Sequence, residues 1–172
     1  QPYVADVGPV RHIYYRKRLR WNPEWVGHGG GDKLMYFGHV GKSSSYFLAL
    51  RGEKSNGMQS VSFQNQAPNL DSSSFFFNIA NDEGIVPLDG GYVTIEVHMV
   101  AQSALGASDG EFHMWVDGQS VESRTGLRWV NAGDTRFEGF QWYPYWGGND
   151  GPTKDVAPYD WMRFGELYVS GR

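Results

Sequence analysis

Apolar and polar residues alternate strictly along two stretches, Tyr92-Val-Thr-Ile-Glu-Val-His-Met-Val100 and Glu111-Phe-His-Met-Trp-Val-Asp117. A period of two is that of a β-strand with one buried and one open face. With Val93, Ile95, Val97 and Met99 turned inward, Tyr92, Thr94, Glu96 and His98 share the opposite surface. The second stretch buries Phe112, Met114 and Val116 and adds Glu111, His113 and Trp115 to the open side. The same period runs from His12 to Trp21, where Ile13, Tyr15, Leu19 and Trp21 alternate with Tyr14, Arg16, Arg18 and Arg20, and Lys17 interrupts the apolar row.

Further strands are predicted at Asp32–Gly38, Ser45–Arg51, Gln59–Asn65, Ser74–Ile79, Gln119–Arg124, Thr135–Trp142 and Trp161–Ser170. Gly52–Gly57, Asn81–Gly84, Asp89-Gly90-Gly91, Asp109-Gly110 and Asp117-Gly118 carry the residues that tight turns require. Asn22-Pro23 ends one strand, and Gly27–Gly31 with His28 reads as a loop. Ala101–Ala107 offers one helical turn at most. About ten short strands without alternating helices predict an all-β, two-sheet antiparallel sandwich or jelly roll.

Composition narrows this picture. A length of 172 residues suits one domain spanning 1–172, with 23 glycines and 16% aromatics matching short strands and tight turns. The absence of cysteine removes disulfides, zinc-thiolate sites and thiol nucleophiles. A net charge of -4 argues against nucleic acid held by bulk positive charge, and no apolar run is long enough for a membrane helix. The chain begins at Gln1, which is the start expected of a mature secreted or cell-surface protein.

Three groups of side chains carry candidate chemistry. The first is the basic row Arg16, Arg18 and Arg20, with Lys33 on a neighbouring strand. Like charges at alternate positions repel, so such a row is eased by Glu96, Glu111 or an anionic ligand, and guanidinium pairs well with uronate or sulfate. A solvated edge strand protected by charge has the same pattern. The second is His98, His113, Glu96 and Glu111, an imidazole and carboxylate set suited to proton transfer; no third metal ligand is placed by spacing.

The third is the aromatic loop Gln141-Trp-Tyr-Pro-Tyr-Trp-Gly-Gly148, whose Trp142, Tyr143, Tyr145 and Trp146 offer faces on which pyranose rings stack. Core packing is the competing use of those rings. Gly147–Gly151, Asp155 and Asp160 are oxygen-rich enough to hold a structural calcium ion, although loops of this kind usually hold nothing; no other cofactor is expected. Nucleophile-elbow, phosphate-loop and dinucleotide-binding signatures are absent.

The order Tyr14-x-Arg16-x-Arg18, Trp25, Asp32-Lys33-Leu34, Val93-Thr-Ile-Glu96-Val-His98, Asp109-Gly110, Trp115-Val-Asp-Gly118, Trp146-Gly-Gly148, Tyr159-Asp160 and Leu167-Tyr-Val-Ser-Gly171 resembles concanavalin A-like jelly-roll proteins related to alginate and glucuronan lyases. The resemblance implies a groove on a concave sheet that takes a polysaccharide. It also implies Arg16 and Lys33 as neutralisers of a uronate carboxylate, His98 as the base and Tyr145 as the acid. Gln102-Ser-Ala-Leu-Gly106 departs from the Asn-Thr-x-Gly expected after the Glu96 strand.

These observations lead to an extracellular module that binds an anionic polysaccharide through Arg18, Arg20, Glu96, His113, Trp115, Trp142, Tyr143 and Trp146. Two alternatives remain: a polysaccharide lyase acting by β-elimination, and a decoration or filament subunit whose exposed rings contact protein.

Overall fold

The alternation read from the sequence is realised in two sheets whose apolar faces meet. A computed structural model describes residues 3–25, 32–39, 45–55, 58–65, 77–79, 84–146 and 161–172, with the side chains of residues 3–6, 32, 36–39, 45–47, 51–55, 64–65, 77, 141 and 143–146 outside the description. The strands are β1 (Tyr3–Val10), β2 (His12–Trp21), β3 (Asp32–His39), β4 (Ser45–Ser55), β5 (Met58–Asn65), β6 (Phe77–Asn78), β7 (Val86–Pro87), β8 (Val93–Val100), β9 (Gly110–Val116), β10 (Gln119–Leu127), β11 (Phe137–Trp146) and β12 (Met162–Gly171). A seven-stranded sheet has the order β1-β11-β3-β4-β5-β6, with β7 also on β5. A five-stranded sheet has the order β10-β9-β8-β2-β12, and the strand pairs are antiparallel.

No α-helix occurs among the described residues, and none there is long and apolar enough to cross a membrane. The fold is a concanavalin A-like jelly roll. Strand β2 matches its predicted span, and β8 and β9 match to within a residue at each end. Two strands were not anticipated: β1, whose sequence lacks a clean alternation, and the two-residue β7.

The core is built from rings that cross between the sheets. Tyr15 of β2 packs on Phe140 of β11 at 4.9 Å, and Phe63 of β5 packs on Phe112 of β9 at 4.7 Å. Trp129 sits edge-on to Phe63 at 5.9 Å and to Phe137 at 5.7 Å. Such pairs add about 0.5–1.5 kcal/mol each beyond the area they bury. Trp129 also donates its Nε1 hydrogen to the Val100 carbonyl at 2.6 Å, and Gly110 is the residue that lets the indole in: a Cβ there would lie 2.5 Å from Nε1.

The loops that follow β8 and β10 are tied by Gln102. Its Oε1 accepts the Val130 N–H at 3.0 Å, and its Nε2 donates to the Val130 and Ala104 carbonyls at 3.0 and 3.1 Å. The side chain is fully buried, so these bonds satisfy backbone groups that water cannot reach. The Asp117-Gly118 turn joins β9 to β10 with φ of 49° and 79°, the two left-handed residues that a tight hairpin needs. Asp117 also accepts the Thr94 N–H at 2.7 Å, fastening this turn to the start of β8.

Lys17, the interruption in the apolar row of β2, points inward with the row and is only 4% exposed. Its Nζ donates to the Gly165 carbonyl at 3.2 Å and lies 5.2 and 5.0 Å from the ring centres of Trp142 and Phe164. The register of β12 on β2 breaks between Phe164 and Leu167, so an extra residue is accommodated beside the carbonyl that Lys17 uses. Burial disfavours the ammonium and lowers the pKa of Lys17 from 10.5.

Two outcomes follow from these buried polar groups. Gln102→Leu leaves the Val130 N–H and two carbonyls without their partner and should destabilise the fold by about 2–4 kcal/mol in urea denaturation. For Lys17, the unfolded chain holds its proton to higher pH than the folded one, so stability rises with pH through the window that ends near 10.5. The stability difference between the native protein and Lys17→Met should therefore move in favour of the native protein between about pH 8 and pH 10. A difference that stays flat over that range contradicts this account of Lys17.

Candidate functional site

The outward face of the five-stranded sheet collects most of the candidate chemistry. Strands β2, β8 and β9 pair without a register shift, which brings Tyr14 opposite His98 and Arg16 opposite Glu96. On the other edge of β8, Glu96 faces Trp115 and His98 faces His113. Directly opposed residues in an antiparallel pair lie on one face of the sheet, so these side chains emerge together. On β12, Tyr168 lies opposite Arg16 and Ser170 opposite Tyr14.

Contacts within the group are close. Tyr14 donates its hydroxyl hydrogen to Glu96 Oε1 at 2.5 Å, and Arg16 Nε lies 3.5 Å from the same oxygen. His12, His98 and His113 form a row across three strands, with ring centres 5.5 and 5.9 Å apart and planes within 16° and 20° of parallel. His12 Nδ1 and His98 Nε2 share a hydrogen bond of 3.3 Å. His113 is fixed at both nitrogens, by Ser123 Oγ at 3.0 Å and by Glu111 Oε2 at 2.9 Å. Trp115 continues the row at 6.0 Å from His113.

Two open clefts meet at Tyr14. One, of about 360 Å³, is lined by His12, Tyr14, His98, Trp115, Ser170, Gly171 and Arg172. The other, of about 420 Å³, is lined by Tyr14, Arg16, Arg18, Glu166, Leu167 and Tyr168. The Tyr14 and Tyr168 rings touch edge-on at 5.9 Å. The result is a trough along β2 and β12 with Arg16 and Arg18 towards one end and the imidazoles with Arg172 towards the other.

Burial, followed by the neighbouring charges, sets the protonation of this trough. His98 has its pKa lowered from 6.5 first by burial, then by His12 and His113. His12 is lowered first by burial, then by Arg172 and Arg11. Both imidazoles are therefore neutral at neutral pH, with one ring donating and one accepting in their shared bond. Tyr14 is pushed up to about 12 by burial and by the bond to Glu96, so its hydroxyl keeps its proton. No group of three or more His, Cys, Asp or Glu side chains able to hold a metal ion occurs among the described residues. The calcium candidates Gly147–Gly151, Asp155 and Asp160 lie outside them.

Several expectations need correction. Lys33 does not neighbour Arg16: it lies on β3 of the seven-stranded sheet, where its register partners are Ala49 and Tyr145, whereas Arg16 and His98 belong to the five-stranded sheet. Lys33, Tyr145, His98 and Arg16 are thus divided between the two sheets of the sandwich. The aromatic loop is largely strand, since Trp142, Tyr143, Tyr145 and Trp146 belong to β11, in which Trp142, Tyr145 and Trp146 pair with β3 around a register shift that spans Tyr143 and Pro144. Trp142 is 3% exposed and packs on Phe164 at 5.9 Å, so its ring serves the core and offers no face to a sugar. The loop around His28 and the side chains of Tyr143, Tyr145 and Trp146 fall outside the described residues.

Some members of the trough were not singled out beforehand. His12 carried a readable signal, because it shares the parity of Tyr14 and Arg16. Tyr168, Ser170 and Arg172 did not, because the bulge in β12 shifts the parity of every residue that follows it.

Comparison with known proteins locates the fold. No family model matches the chain, and no curated protein matches it. Solved structures do. An alginate lyase mutant altered at a lysine and a tyrosine, in complex with alginate tetrasaccharide, is similar with a TM-score of 0.69 and 14% identity, over 99% of this chain and 74% of that one. The endo-beta-1,4-glucuronan lyase of the fungus Trichoderma reesei is similar with a TM-score of 0.70 and 13% identity, over 100% of this chain and 74% of that one. A tetrameric galectin from the ball sponge Cinachyrella has a TM-score of 0.57 and 13% identity, over 99% of both chains. At these identities the likeness is one of architecture.

The histidine row has a measurable consequence. An imidazole whose folded pKa is depressed contributes stability above 6.5 that is lost as pH falls through the folded value. Unfolding in urea should show stability falling between about pH 7 and pH 5, with a shallower fall in the double variant His12→Gln and His98→Gln. Equal slopes in the two proteins contradict the assignment of neutral imidazoles.

Proposed function

We propose that the trough on the five-stranded sheet binds an anionic polysaccharide, and that this protein is a carbohydrate-recognising module acting outside the cell. One observation carries the reading: two clefts meeting at Tyr14 place Arg16, Arg18 and Arg172 beside the rings of Tyr14, Tyr168 and Trp115 along one continuous surface. Guanidinium groups supply charge-assisted hydrogen bonds to carboxylate or sulfate, and ring faces cover the C-H surfaces of pyranoses. The fold shared with two polysaccharide lyases and a galectin supports the class of ligand. Binding requires no more than this surface. Elimination would also require a base and an acid at one sugar, and the expected set is split between the sheets.

A second reading, β-elimination, has one observation in its favour. Lys33 and Tyr145 are register partners across β3 and β11, and the similar alginate lyase was altered at a lysine and a tyrosine. In this version the seven-stranded sheet carries the chemistry. A base takes the proton beside the uronate carboxyl, the C4–O bond breaks as the C4–C5 double bond forms, and an acid protonates the leaving oxygen. His98 and Arg16 have no part in it.

One set of measurements separates the readings. Calorimetric titration with alginate, polyglucuronate and chondroitin should give saturable binding, weakened about tenfold in Arg16→Ala and in Trp115→Ala with melting temperatures near that of the native protein. An absence of binding across the panel, or variants that bind as well as the native protein, refutes the trough as the site. Absorbance of an unsaturated uronide, abolished by Lys33→Ala, would instead establish the lyase.

A further inference from the structure

Beyond Tyr14, the outward face carries an alternating ladder of cations and rings. The Arg18 and Arg20 guanidinium carbons lie 4.9 and 5.8 Å from the centre of Tyr92. The Arg20 and Arg163 carbons lie 5.5 and 5.0 Å from the centre of Trp161. The order is therefore Arg18, Tyr92, Arg20, Trp161, Arg163, drawn from β2, from the residues just before β8 and β12, and from β12 itself.

This arrangement is electrostatically frustrated. Arg20 and Arg163 are direct cross-strand partners, a placement that repels. Neither they nor Arg18 makes an ion pair among the described residues, whereas Arg16 has Glu96. Glu166 lines the same cleft as Arg18 but does not pair with it. Arg20 Nε is buried without a hydrogen-bond partner. The rings take up guanidinium faces, and in-plane N–H edges remain for an external acceptor. Local conflict of this sort, left in place on a surface, marks a site whose missing partner is a ligand.

We propose that the ladder is a sulfate-ester subsite, so that the polymer held in the trough is a sulfated acidic polysaccharide. This rests on the glycan reading above and narrows it. The backbone positions that carry successive cations stand about 5–7 Å apart, along β2 and across to β12. That density calls for more than one anion per sugar, which a plain uronan does not carry. A sulfate ester offers three terminal oxygens, enough to bridge guanidinium groups on two strands, whereas a carboxylate is satisfied by one guanidinium fork. Guanidinium is weakly hydrated, which lowers the cost of pairing it with a large, diffuse anion. Phosphodiester chains have comparable charge density, but the net charge of -4 opposes binding to nucleic acid through bulk attraction.

Chondroitin and chondroitin sulfate share one backbone and differ in sulfation, which makes them the decisive pair. Calorimetric titration at fixed salt should show chondroitin sulfate binding at least about tenfold more tightly than chondroitin. Arg163→Gln, altered outside the two clefts, should remove most of that preference, leave chondroitin binding unchanged, and reduce the salt slope for the sulfated polymer by about one. Equal affinity for both polymers, an Arg163→Gln protein that keeps the preference, or single-stranded DNA binding as tightly as chondroitin sulfate overturns the sulfate subsite. With chondroitin still bound, the first two of these outcomes leave the glycan reading standing. Failure to bind either polymer, alginate or polyglucuronate removes both.

Discussion

The unbroken pairing of β2, β8 and β9 is the constraint on which the candidate site depends. Most other pairings in the two sheets contain a bulge or irregularity, but these three strands run in register from His12 to Leu19, from Val93 to Val100 and from Glu111 to Val116. A slip of one residue would exchange the two faces, burying Arg16, Glu96 and His98 and exposing Tyr15, Ile95 and Val97. Burial of the odd-numbered row against Phe140 and the rest of the core makes that slip prohibitive, since each large apolar side chain is worth about 1.5–3 kcal/mol. The packing of one face thus holds the chemistry of the other in place.

Buried polar groups show the same economy of placement. Gln102 satisfies backbone groups where chain segments meet, and its loss would leave donors and acceptors that water cannot reach. Lys17 is a different case, because an ammonium in an apolar row carries a desolvation cost that one carbonyl and two rings offset only in part. The bulge in β12 that accompanies this contact also reorients Tyr168 and Ser170 towards the trough. A core compromise and a surface feature therefore share one backbone irregularity.

Electrostatics gives the trough two unlike ends. Around His12 and His98, burial and neighbouring cations keep imidazoles neutral, and hydrogen bonds to Glu96, Glu111 and Ser123 occupy most of the polar atoms. Around Arg18, Arg20 and Arg163, cations are supported by rings and make no ion pair among the described residues. A ligand would meet one end where neutral imidazoles and Trp115 lie beside Arg172, and another where several guanidinium groups suit its anionic substituents.

The sequence by itself determined the class of fold and the parity of its central strands, because alternation of apolar and polar residues has only one low-energy solution in a sheet packed on one side. From that parity, Arg16, Glu96, His98, His113 and Trp115 could be placed on a common open face. Only the tertiary structure decided which strands are neighbours. It put Lys33 and Tyr145 on the other sheet, made the aromatic segment a strand, turned Trp142 into the core, and brought β12 beside β2 to complete the clefts and the ladder. Pairing between strands that lie more than a hundred residues apart depends on how whole faces pack, and a bulge such as that in β12 resets parity where no local pattern announces it.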